Sequence, residues 1–102
     1  MAVYVDPLMD WEWVMYGKKV KSCHLTADSE QELLEFGRKL GFKDSWLMRP
    51  KQPWKPMHYD LVESKRIKAI ELGAKPITLI EVKDLIKKAK IALGVSNISE
   101  QS

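Results

Sequence analysis

The stretch VKSCHLTADSEQELLEFGRKLG, residues 20–41, changes period once, and that change constrains the fold more than any other feature of the chain. Up to Thr26 the pattern alternates. Cys23 and Leu25 share one face, while Ser22, His24 and Thr26 share the other, as in a strand with one buried side. From Ser29 the period becomes helical. Ser29 and Glu32 are spaced as a capping box, Leu33, Phe36 and Leu40 form one apolar stripe, and Gly41 ends the run. A strand that feeds straight into a helix needs a sheet to join and a face for the helix to cover, which points to an α/β fold.

The rest of the chain fits that class. AVYV (2–5) is β-prone and stops at Asp6-Pro7. Residues 7–19 have no clean period and read as a long aromatic loop or an irregular hairpin arm. SWLM (45–48), with Trp46 as a core residue, and PITLI (76–80) read as further strands. A second helix is expected from Asp60 to Leu72, with Asp60 and Glu63 as its capping box. A third is expected over 81–94, with Val82, Leu85, Ile86, Ala89 and Leu93 inward. RPKQPWKP (49–56) has three prolines and cannot be regular structure. It is either a stiff connection with Trp54 tucked against the core or a lid over a pocket. The expectation is a single small domain over 1–94, with about a four-stranded mixed sheet and three helices, and a flexible tail over 95–102.

Composition narrows the function classes. With 45% hydrophobic and 30% charged residues, the 102-residue chain reads as one globular domain. No apolar run approaches the roughly 18 residues of a membrane span, and the first residues lack the basic start of a signal peptide. One cysteine, Cys23, cannot form an internal disulfide, so a cytoplasmic setting is expected, with Cys23 in the core. The net charge of +3 divides into −2 over residues 1–48 and +5 over 49–102. That favours an anionic ligand but is modest for nucleic acid. The Lys83, Lys87 and Lys90 helix face reads as solvated.

Both histidines precede expected helix starts and each is followed by an aspartate: His24 with Asp28, and His58 with Tyr59 and Asp60. If both helices leave one sheet edge, the two His–Asp pairs meet, with Asp6 beside them. Helix N-termini, Arg66 and Ser64 would attract an anion, and Trp11, Trp13, Trp54 or Tyr59 could stack on a flat ring. The leading expectation is a pocket for a small phosphate-bearing, nucleotide-like ligand, formed by Asp6, Trp11, His24, Asp28, His58, Tyr59, Ser64 and Arg66. The alternative is a hydrolase or phosphodiesterase with His24, His58 and Asp60 as its catalytic groups. No cofactor is called for by a motif, but the same residue types can hold a divalent metal. Plainer roles stay open. Asp28 and Asp60 can be helix caps, and Arg66 can pair with Glu63 or Asp60 on its own helix. Pockets shared between copies are common in domains this small, so a homo-oligomer is expected.

VYVDPLMDW, SCHLTAD, SW and HYDLVESKRIKAIELGA together resemble a small family of phage and bacterial proteins of unknown function. The pattern covers residues 2 to about 80, with Asp6, Trp11, His24, Asp28, Trp46, His58, Tyr59, Asp60, Ser64 and Arg66 as its motif residues. The resemblance carries no established reaction. Its phage members imply a counter-defence role as an expectation, with the protein sequestering or degrading a nucleotide signal in the host cytoplasm.

Overall fold

The computed structural model describes residues 2–94, and within them the side chains of Trp11 and Glu12 are left out. The expected tail, 95–102, lies outside the described residues. The fold is α/β, with a mixed sheet and three helices. The strands are β1 (Val3–Val5), β2 (Met9–Met15), β3 (Lys18–Ala27), β4 (Tyr59–Val62) and β5 (Lys75–Pro76). The helices are α1 (Glu30–Lys39), α2 (Glu63–Glu71) and α3 (Leu79–Ala92). The sheet therefore has one strand more than expected.

β3 is the centre of the sheet. Leu25 pairs with Val5 on one side and Tyr59 on the other, and Ser22 likewise lies between Met9 and Val62. β1 and β2 thus share one edge of β3, broken at Asp6-Pro7, and β4 takes the other edge. β5 extends the sheet by pairing parallel with β1. The alternation in β3 and β4 separates two faces. Cys23, Leu25, Tyr59 and Leu61 point inward and are almost wholly buried. They meet Leu33 and Phe36 from α1, Leu40 at its C-cap and Ala69 from α2 in one core. His24 and Asp60 point to the opposite face.

The first helix follows the sequence closely. Ser29 Oγ accepts from the Glu32 backbone N–H at 3.2 Å, and Leu33, Phe36 and Leu40 are buried. Residues 9–15 form β2, the irregular hairpin arm of the two expected alternatives, because Tyr16 and Gly17 make a tight turn with φ of 53° and 75° and the pairing with β3 shifts register between Met9 and Trp13. Two positive φ values in a two-residue link match the twist of a hairpin. Other expectations are corrected. Residues 45–48 are not a strand: Asp44–Trp46 is a short 3₁₀ turn, and only Met48 pairs, in an isolated bridge to His58. Asp44 is fixed there by two bonds from Arg38, at 3.1 and 2.7 Å, which leaves Trp46 51% exposed rather than in the core.

Asp60 does not start α2. It lies within β4, and α2 begins at Glu63 with no side-chain cap. Tyr59 and Leu61 are both buried, so the period there is two, not 3.6. Finally, PITLI is not a strand beyond Pro76. Thr78 Oγ1 accepts from the Glu81 N–H at 3.2 Å and starts α3 early, a capping box that outweighs the β-branched run. The inward-facing expectation for α3 also changes, since none of its residues is buried.

Candidate functional site

The site follows from register. His24 pairs directly with Asp60 across β3 and β4, and both side chains leave the face away from the core. His58 is two residues before Asp60, so it emerges on the same face. On the other edge the Asp6 N–H donates to the His24 carbonyl at 3.2 Å, which sets Asp6 beside His24. The two imidazoles meet edge to face with centroids 4.7 Å apart. Residues distant in the chain are thus one cluster.

Each ring is held at Nδ1. His24 Nδ1–H donates to Asp6 Oδ2 at 2.7 Å, while the His24 backbone N–H donates to Asp6 Oδ1 at 2.6 Å. His58 Nδ1–H donates to the Pro56 carbonyl at 3.3 Å. The tautomers are assigned from these partners, since a carboxylate and a carbonyl can only accept. Both Nε2 atoms lie toward Asp60 Oδ1, at 3.9 Å from His24 and 3.6 Å from His58. These separations exceed a hydrogen bond. One ligand atom from each of His24, His58 and Asp60 lies within 4.8 Å of the others, so the three could hold a metal ion.

The two imidazoles titrate in opposite directions. The hydrogen bond that the His24 ring donates to Asp6 raises the His24 pKa against the effect of burial. Burial lowers that of His58, and the charge of His24 lowers it further. Asp6 is itself buried, at 6% exposure, and its carbonyl accepts from Arg66 Nε at 3.0 Å.

A cleft of about 930 Å³ opens beside the cluster. Tyr4, Asp6, His24, Thr26, Asp28 and His58 line one end. The far walls are the proline-rich segment, with Trp54, and the apolar side of α3. Asp28 does not cap α1, because Ser29 does. Its carboxylate instead accepts from the Ala2 N–H at 2.8 Å and from the Tyr4 hydroxyl at 2.9 Å.

Of the expected site residues, Asp6, His24, Asp28 and His58 come together on this cleft, with Asp60 against both imidazoles. Tyr59 does not join them. It is buried on the core face against Gly37. Ser64 is exposed in the first turn of α2 and is not among the cleft residues, and Arg66 reaches Asp6 from behind instead of facing the cleft. The side chain of Trp11 lies outside the described residues. Sequence reasoning missed Tyr4, Thr26 and the Pro56 carbonyl. The strand period that exposed His24 also exposes Thr26, so that signal was present, whereas nothing in the sequence marks a carbonyl as a ring partner. Cys23, fully buried, has its thiol pushed up to about 12 by burial and is a core residue.

The chain belongs to the DUF4031 family, proteins of unknown function, whose sequence profile matches residues 3–89. The match therefore reaches well into α3, beyond the motif stretch. No curated protein and no solved structure matches the chain. Among the described residues, no helix is long and apolar enough to cross a membrane.

Proposed function

We propose that the protein is a small metal-dependent hydrolase, with one divalent transition ion held by His24 Nε2, His58 Nε2 and a carboxylate oxygen of Asp60. One observation carries this reading: one ligand atom from each of His24, His58 and Asp60 lies within 4.8 Å of the other two, and each Nδ1 is turned to a protein acceptor, Asp6 for His24 and the Pro56 carbonyl for His58. The Asp6–His24 contact is the carboxylate–histidine arrangement that orients metal-binding imidazoles and raises their basicity. Two imidazoles and a carboxylate suit zinc, manganese or iron(II).

Three protein ligands leave coordination positions open, as in catalytic rather than structural sites. An ion held by these residues would supply a nucleophilic water near neutral pH and would polarise the bond under attack. The chain's own part is to hold the donors, shape the cleft and carry protons. Asp28 and Tyr4, joined at 2.9 Å on the same wall, can exchange a proton with a substrate. The test is to strip the full chain with chelator and titrate zinc, manganese or cobalt(II) by calorimetry. Binding of a single equivalent, with the visible spectrum of nitrogen-bound cobalt(II), is expected. Hydrolysis that needs the ion and disappears in His58→Ala completes the reading, and no binding of any of these ions sinks it.

A second reading keeps the cleft but not the chemistry. Trp54 and Lys55 line it, and Lys90 Nζ stands 5.3 Å from the Trp54 ring centroid; an aromatic ring with cations near it supports capture of a nucleotide-like phosphate ligand, as a counter-defence protein would require. Incubation with nucleotides followed by denaturation separates the two: intact ligand recovered from the protein supports capture, altered ligand supports turnover.

A further inference from the structure

The cleft is far larger than an ion and a water need, and one of its walls is a helix whose apolar side the described residues cover only in part. α3 turns Leu79, Val82, Leu85, Ile86 and Ala89 toward it. None of these is buried, and Leu85 is 44% exposed. Across from them stand Pro50, Pro53 and Pro56, with Trp54 half-buried among them. The two walls meet where Lys90 Nζ lies 5.3 Å from the centroid of the Trp54 ring. An amphipathic helix is normally held by burying its apolar stripe, and here that stripe faces open space continuous with the His pair.

Charge narrows the occupant. The cleft carries the carboxylates of Asp6, Asp28 and Glu30 against Arg49 and Lys55, and Arg49 is already paired with Glu30. With Lys90 over Trp54 counted as well, carboxylates and cations balance, so the cleft offers a polyanion no excess of positive charge. The volume is within the range of small-molecule sites, roughly 300–1,000 Å³.

We infer that the cleft takes an uncharged apolar acyl arm, alkyl or aryl and several carbons long, whose ester or amide bond lies at His24, His58 and Asp60. This rests on the hydrolytic reading above and names its substrate class. Hydrolysis forms one carbon–oxygen bond from water, breaks the bond to the alcohol or amine, and passes a water proton to that leaving group. No oxidant or reductant takes part.

Hydroxamates test it, because they carry a neutral metal-binding head on a variable tail. Acetohydroxamic and octanohydroxamic acids are titrated by calorimetry into the full chain, zinc-loaded and metal-free. Burying each methylene favours binding roughly fourfold, so the octyl compound should bind the zinc form at least about 100-fold tighter than the acetyl one. Leu85→Asp, at a position outside the core, should cut that preference at least about tenfold and leave acetohydroxamate affinity unchanged; the unchanged affinity also reports an intact fold. Equal affinities for the two acids overturn the inference, as does an unaltered tail preference in Leu85→Asp. A tail preference that persists with no gain from zinc keeps the apolar cleft and overturns the metal reading instead.

Discussion

His24 and Asp60 stand directly opposite each other on neighbouring antiparallel strands, and Asp6 flanks His24 on the other side. Three polar residues thus form one row across the sheet, on the face that the core does not use. Register places them there. A slip of one residue in β4 would turn Asp60 into the core and expose Tyr59 and Leu61. The burial of those two side chains therefore helps hold the cluster together.

The contribution of Asp6 to ion binding is separable from that of the ligands. Asp6→Asn should weaken zinc binding about 10- to 100-fold, the usual effect of losing a partner behind a metal-bound histidine. Asp60→Ala should weaken it further. Calorimetric titration of each variant, with circular dichroism to verify the fold, checks the order.

In the metal-free chain the two imidazoles should titrate on opposite sides of 6.5, with His24 above and His58 below. The sign for stability follows. His24 binds its proton more tightly when folded, so its contribution is complete below the unfolded value and fades as pH rises through the folded one. His58 binds its proton more weakly when folded, so its contribution is present above the unfolded value and is lost as pH falls. Nuclear magnetic resonance of the ring protons gives both titrations. Asp6→Asn should lower that of His24.

Gly37 lies in α1 directly against Tyr59. A Cβ there would sit 2.6 Å from a ring carbon, nearer than side chains approach. Gly37→Ala should destabilise the fold by about 1–3 kcal/mol through overpacking, despite the better helix propensity of alanine. The Tyr59 hydroxyl is buried and has no hydrogen-bond partner among the described residues. Tyr59→Phe should therefore stabilise by about 1 kcal/mol. Denaturant melts of both variants measure the two effects.

Thr78→Ala removes the cap of α3, a change of about 1 kcal/mol. No residue of α3 is in the core, so the loss should be local. Hydrogen exchange should speed up over residues 79–92 while the amides of β3 keep their protection. A uniform loss across both would show α3 to be part of the cooperative unit.

The period of residues 20–27 was enough to put His24 outward and Cys23 and Leu25 inward, and the S-x-x-E of α1 was legible as a start signal. HYDLVESK reads as a helix start, because Asp60 followed by Glu63 has the same spacing as a cap. Only the burial of both Tyr59 and Leu61 shows a strand instead. The meeting of His24 with His58 holds either way, since a strand leading to α2 brings the two rings to the same face. The anion-binding role for Ser64 and Arg66 depended on a helix mouth at Asp60, and with α2 beginning at Glu63 these residues are elsewhere. Nδ1 partners such as the Pro56 carbonyl depend on backbone path, which no residue pattern encodes.

Both carboxylate oxygens of Asp6 are committed to one residue, one to the ring of His24 and one to its main chain. The ring therefore cannot swivel without also disturbing the strand that carries it. Sequence drift should thus be uneven across the molecule. The outer surface of α3 is open to change, whereas position 6 answers to folding and to chemistry at once, and a lineage that abandoned the chemistry would still have reason to keep its aspartate.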